Sequence, residues 1–132
     1  MILGLDPGTR KCGYALLPAG GGKPGALGIT PLAELEPVLR ALIAGRPGER
    51  VALGRGTNAA VVGAVLESVG LPYTLVDEHE TTLRARARYF ADHPPRGWKR
   101  LVPRGMLLPE RPVDDYAALL IAERYLEATA SP

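Results

Sequence analysis

Ile2-Leu3-Gly4-Leu5-Asp6-Pro7-Gly8-Thr9 is the stretch on which the fold turns. Ile2 to Leu5 is a short apolar run that reads as a buried strand, and Pro7-Gly8 turns the chain immediately after Asp6. A carboxylate therefore stands where a strand leaves the core. An uncompensated acid there costs several kcal/mol of desolvation, so Asp6 either caps the Pro-Gly turn or waits for a cation. Two later acidic pairs, Asp77-Glu78 and Asp114-Asp115, repeat the grammar of apolar run, acid and helix start.

The rest of the chain alternates in a way that fixes the class. Cys12 to Leu17 and Ala26 to Thr30 read as two more strands, with the glycine run Gly20-Gly21-Gly22 as a hairpin tip. Leu32 to Ala44 carries a helical stripe at Leu35, Val38, Leu39 and Leu42, which Gly45 and Pro47 stop. Val51 to Leu53 is a strand that leaves through Gly54-Arg55-Gly56, and Thr57 or Asn58 caps a helix ended by Gly70 and Pro72. Tyr73 to Val76 is a fifth strand. A helix from Thr81 or Thr82 to about Arg88, a Pro-rich stretch from His93 to Pro112, and a helix from Val113 to Ala128 complete the order. Strands joined through helices run parallel with right-handed crossovers, whereas the opening meander is antiparallel. The expectation is an α/β chain, residues 1–132 forming one domain with a mixed five-stranded sheet flanked by helices. Sites in such sheets lie beyond the carboxyl ends of the parallel strands, where Asp6, Gly54 to Gly56 and Glu78 would stand.

Composition narrows the partners. At 46% hydrophobic and 23% charged the chain is ordinary globular protein. Its single cysteine, Cys12, excludes an internal disulfide and reads as a small buried hydrophobe in a reducing compartment. With no run approaching the roughly 20 apolar residues of a membrane span and no signal-peptide pattern, the expectation is a cytoplasmic protein away from membranes. The net charge of +2 conceals an uneven distribution. Between Arg84 and Arg111, eight basic residues face only Asp92 and Glu110, a local net of +6, which leaves the remainder acidic. A basic strip on an acidic body suits a polyanion. Within it, Arg96-Gly97-Trp98-Lys99-Arg100 joins cations to an indole able to stack on an unpaired base.

Carboxylates from three segments with a polyanionic partner point to metal-dependent phosphodiester hydrolysis, in which hard cations such as Mg²⁺ or Mn²⁺ take oxygen ligands. Alternation lets only one of Asp77 and Glu78 face the site, and periodicity leaves the choice open. For Asp77-Glu78 the competing reading is an acidic first turn that favours the following helix dipole. Counting 100° per residue, the apolar stripe of the last helix lies near both Asp114 and Asp115, marginally closer to Asp114, with Glu123, Arg124 and Glu127 opposite.

Gly4-Leu5-Asp6-Pro7-Gly8-Thr9-Arg10-Lys11-Cys12-Gly13-Tyr14-Ala15, Val76-Asp77-Glu78, Thr81-Thr82 and Val113-Asp114-Asp115-Tyr116-Ala117-Ala118 together resemble the YqgF/RuvX family over essentially the whole chain. That family comprises RuvC-like nucleases, assigned to Holliday junctions or to precursor ribosomal RNA. The resemblance implies a ribonuclease H-like fold and a metal site of Asp6, Glu78 and Asp114, holding Mg²⁺ or Mn²⁺, with Asp77 supporting and Asp115 variable. The expected nucleic-acid contacts are Arg10, Lys11, Arg96, Trp98, Lys99 and Arg100. The chain departs from the family at His79, where an Arg is usual, at Glu80, and at Ala52-Leu53-Gly54-Arg55, so phosphate contacts differ more than the metal site. Single-stranded or structured RNA is the favoured substrate, because the basic-aromatic segment offers a stacking platform. Branched DNA cut by a homodimer is the alternative, and a non-catalytic nucleic-acid-binding module is the third reading. The Gly-x-Asp-x-Gly-Thr pattern also occurs in sugar kinases and actin-like ATPases, but those need a second lobe that this length cannot build.

Overall fold

The computed structural model describes residues 1–18, 20, 23–44, 50–56, 58–77, 81–94, 97, 101 and 113–130. Five strands form one sheet: β1 (Ile2–Pro7), β2 (Lys11–Leu17), β3 (Ala26–Pro31), β4 (Arg50–Gly54) and β5 (Tyr73–Val76), in the order β3-β2-β1-β4-β5. The β1–β2 and β2–β3 pairs are antiparallel, and the β1–β4 and β4–β5 pairs are parallel, as the sequence pattern requires. The helices are α1 (Leu35–Ile43), entered through a 3-10 turn at Leu32–Glu34, α2 (Ala59–Ser68), α3 (Thr81–Asp92) and α4 (Asp114–Ala130). α3 runs a full turn beyond the Arg88 expected from sequence, because Tyr89 and Phe90 are buried against α4. No helix among the described residues is long and apolar enough to cross a membrane.

Strand alternation divides the core. Leu3, Leu5, Cys12, Leu16, Val51 and Leu53 point to one face and pack on Leu35 and Leu39 of α1 and Val62 and Leu66 of α2. Ile2, Ala15, Leu17 and Ala52 point to the other and pack on Ala118, Leu119, Ile121 and Ala122 of α4. The far side of α4 packs on α3 through Tyr116, Ala117, Ala85, Tyr89 and Phe90. Apolar positions run nearly all round a helix buried on two sides.

What lets α4 lie so close to the sheet is bare backbone beneath it. A Cβ on Gly4 would collide with the Ala118 carbonyl and come within 2.9 Å of the Ala122 Cβ. A Cβ on Gly13 would run into the Asp114 backbone. Asp114, Ala118 and Ala122 form one ridge at i, i+4 and i+8, and that ridge rests on the glycines of β1 and β2. Because backbone atoms cannot yield as a flexible side chain can, Gly4→Ala and Gly13→Ala are each expected to destabilise the fold by about 1–3 kcal/mol. Gly20→Ala, with nothing within 4 Å of its new methyl, is expected to be neutral. Denaturant midpoints of the three variants check the difference.

Candidate functional site

Asp6 lies inside β1 rather than at its exit, since the ladder continues through Asp6↔Gly13 and Pro7↔Cys12. Pro7 does not stop the strand, because the antiparallel partner β2 carries the pairing on, and the chain turns at Gly8 instead, with the Gly8 N–H donating to the Lys11 carbonyl at 2.9 Å. Asp6 shares the face of Ile2 and Gly4, the face covered by α4. Its cross-strand partner Gly13 is the residue on which the Asp114 backbone rests. Two acidic residues from opposite ends of the sequence thus meet at one glycine, at the carboxyl end of the central strand.

Their charges register at Cys12. This thiol is fully buried, and its pKa is pushed up from 9.0 to about 12, first by burial and then by the Asp6 carboxylate. A backbone hydrogen bond at Asp6 pulls it down, and Asp114 adds a smaller upward push. Lys11 brings a cation, its Nζ 3.9 Å from Asp114 Oδ2, with both side chains substantially exposed. An ion pair of that length and exposure contributes little stability, so Lys11 only partly balances the two acids. Arg10, its neighbour, has an exposed side chain and a carbonyl that accepts the Leu32 N–H at 2.9 Å.

Within the Asp114-Asp115 pair, the stripe argument has the burial the wrong way round. Asp115 is the buried acid, its Oδ1 accepting the Tyr116 N–H at 3.0 Å, whereas Asp114 keeps partial access to solvent beside the sheet. An acid reached by solvent and by Lys11 is the one available to a ligand. Tyr116 in turn donates to Asp92 Oδ2 at 2.9 Å, which fastens the start of α4 to the end of α3.

On β5, Val76 packs with the α4-side core and Tyr73 with the other, so even positions face α4. Asp77 offers its carbonyl to Arg124 Nη1 at 2.6 Å. Glu78, Arg96, Trp98, Lys99 and Arg100 lie outside the described residues, as does Thr57. Among the described residues no group of three His, Cys, Asp or Glu converges as a metal site. The basic strip gives up one member, since Arg88 pairs with Glu123 of α4 at 3.0 Å. Glu123 and Arg124, expected to face away from the core into solvent, are both engaged by neighbouring elements.

Asp6 and Asp114 provide hard oxygen donors on one face, opposed by a loosely held ammonium. That donor set fits a divalent cation such as Mg²⁺, which is commonly held by one or two carboxylates. A cavity of about 440 Å³ lined by Arg50, Tyr73, Thr74 and Tyr125 opens at the amino ends of β4 and β5, away from these acids.

The architecture is that of the ribonuclease H-like class, in its RuvC-like form. A Thermus thermophilus RuvC solved in complex with a Holliday junction substrate matches at a TM-score of 0.60, over 98% of this chain and 95% of that one, with 15% identity. A second Thermus thermophilus RuvC structure matches at a TM-score of 0.46 and 16% identity over 96% and 95% of the two chains. No family model matches the sequence, and no curated protein does.

The Cys12 environment carries a pH consequence. A thiol whose folded pKa exceeds its unfolded one adds stability that is complete below pH 9.0 and is lost as pH rises toward about 12. Stability is therefore expected to fall across that alkaline window. Cys12→Ala should flatten this part of the profile, as read by urea unfolding at a series of pH values against the wild type.

Proposed function

We propose that this chain is a single-domain, metal-dependent nuclease of the YqgF/RuvX kind that hydrolyses phosphodiester bonds in nucleic acid. The observation that carries the reading is the meeting of Asp6 and Asp114 over Gly13 at the carboxyl end of the central strand. Glu78 is the third ligand, the one that the resemblance to the YqgF/RuvX family implies. Asp6, Glu78 and Asp114 would hold Mg²⁺ or Mn²⁺. Bound there, the metal supplies an activated water and relieves charge on the leaving oxygen. Lys11, released from Asp114, and exposed Arg10 are placed to meet substrate phosphates. One cysteine and an ordinary globular composition fit a cytoplasmic enzyme.

Asp6→Asn, Glu78→Gln and Asp114→Asn are each expected to cut turnover by orders of magnitude without loss of folding, because each removes one of several clustered like charges. Asp115→Asn should instead lower thermal stability, since it alters a buried acceptor. Purified protein incubated with branched DNA and structured RNA under Mg²⁺, Mn²⁺, Ca²⁺ and chelator provides the assay. Cleavage in excess EDTA would eliminate the mechanism, and no cleavage of any substrate would favour a binding module.

For the substrate, the sequence Arg96-Gly97-Trp98-Lys99-Arg100 supports RNA with exposed single strands, as in precursor ribosomal RNA processing. The likeness to a RuvC bound to a Holliday junction supports branched DNA as a second reading, with cleavage by a dimer. If RNA is the substrate, Trp98→Ala should weaken binding to single-stranded RNA far more than to duplex, by about 1–3 kcal/mol per stacked base. Lys99→Ala and Arg100→Ala should weaken both. A dimer that cuts the junction symmetrically and ignores RNA decides for the second reading.

A further inference from the structure

Asn58 joins two connections that are remote in sequence. Its Nδ2 donates to the Gly8 carbonyl at 2.7 Å and to the Thr9 carbonyl at 3.1 Å, partners 50 and 49 residues away. Both acceptors are carbonyls, so only the amide nitrogen can serve, and the network fixes the orientation of the amide. Asn58 also occupies the N-cap position of α2, yet its side chain makes no capping hydrogen bond. An N-cap asparagine ordinarily turns its oxygen to the amides of the first helical turn. Here the helix start is held by the backbone, through Val62 N–H to the Asn58 carbonyl at 3.0 Å and Ala59 N–H to the Gly56 carbonyl at 3.2 Å. The side chain is committed elsewhere.

The segment it holds is the turn between β1 and β2. Gly8 N–H closes that turn on the Lys11 carbonyl, and Leu32 N–H holds the Arg10 carbonyl from the side of β3. Asn58 fastens the opposite side at Gly8 and Thr9. Of the two cations on the turn, Lys11 reaches toward Asp114 and Arg10 projects into solvent.

We infer that Asn58 is a positioning residue for phosphate binding: its amide locks the Gly8–Lys11 turn so that Arg10 and Lys11 meet a nucleic-acid backbone already ordered. The inference rests on the nuclease reading given above. A turn held in place keeps both cations on the phosphates and spares the ordering cost at the moment of binding, so the effect falls on affinity and on the number of phosphates neutralised.

Two substitutions separate this role from helix capping. Asn58→Ser keeps good N-cap chemistry but is too short to hold both carbonyls, and Asn58→Leu keeps the approximate shape with no donor. Fluorescein-labelled four-way DNA junction and single-stranded RNA serve as probes in Ca²⁺, titrated over a series of salt concentrations, with melting curves recorded for each protein. Both variants are expected to bind about five- to tenfold more weakly, the scale of one or two missing hydrogen bonds. The slope of log affinity against log salt should become shallower by about one to two, near one for each phosphate that is no longer neutralised. Asn58→Ser in an Arg10→Ala, Lys11→Ala background should add little to that double variant alone. Full affinity and slope in Asn58→Ser overturns the inference in favour of a capping role, and weaker binding with an unchanged slope, additive to the Arg10→Ala, Lys11→Ala double variant, overturns it as a general structural effect. Should Asn58→Leu fail to fold, Asn58→Ser carries the test. A wild type that binds neither probe overturns the nuclease reading itself, whereas a binding wild type with indifferent variants overturns the role of Asn58 alone.

Discussion

The close approach of α4 to the backbone of β1 and β2 is the constraint from which the site follows. Without a side chain at Gly13, the Asp114 backbone can rest on the residue paired with Asp6, and without one at Gly4 the next helical turn can follow it down. Ala118 and Ala122 repeat the economy on the helix side, being the smallest side chains that still favour a helix. One ridge thus does two things: it completes the α4-side core, and it delivers a carboxylate to the central strand. Any residue that lifted the helix off the sheet would separate the acids and open the core together.

Holding two carboxylates near each other over a packed core is unfavourable unless something answers their charge. Lys11 answers in part, from the turn that follows Asp6, and it does so with an exposed, long contact to Asp114. Such a contact is easily exchanged. The Cys12 thiol beneath the pair is consequently held neutral, by burial first and by both acids after it. A neutral thiol is inert as a metal ligand, because a metal-bound thiol must lose its proton, so the proposed metal site draws on the acids and not on Cys12.

Much of this was legible in the residues. Apolar runs bounded by Gly, Pro and Asp marked all five strands, including the edge strands β3 and β5, which are only partly buried, beside the largely buried β1, β2 and β4. The parallel arrangement of β1, β4 and β5 followed from helix-length connections. The choice between Asp114 and Asp115 was harder, because adjacent helical residues differ by only 100° and α4 is buried against both the sheet and α3. With no exposed face to serve as reference, a stripe has no clear centre. Asp6 resembles a strand end because Pro7-Gly8 is a strong turn signal, yet the antiparallel partner carries the ladder one residue further. Asn58 has the type and place of a helix cap, and nothing local reveals that its amide serves a turn 50 residues away. The roles of Gly4 and Gly13 were not legible either. Their signal was present in the small residues spaced four apart at Ala118 and Ala122, but only the pairing of helix with strand gives that spacing meaning.

The site divides between a packed floor and a hydrogen-bonded rim. Asp6 sits on the central strand, hydrogen-bonded on both sides, and Asp114 sits on the most enclosed helix, fastened to α3 through Tyr116 and Asp92 and through Glu123 and Arg88. The proposed cation demands ligands at fixed spacing, and these elements give it. The groups suited to phosphate, Arg10 and Lys11, stand instead on a connection whose place is set by hydrogen bonds to its carbonyls. On the proposed nuclease reading, a packed floor and a clamped turn bring cation and phosphate to one place with neither element left to be ordered on binding.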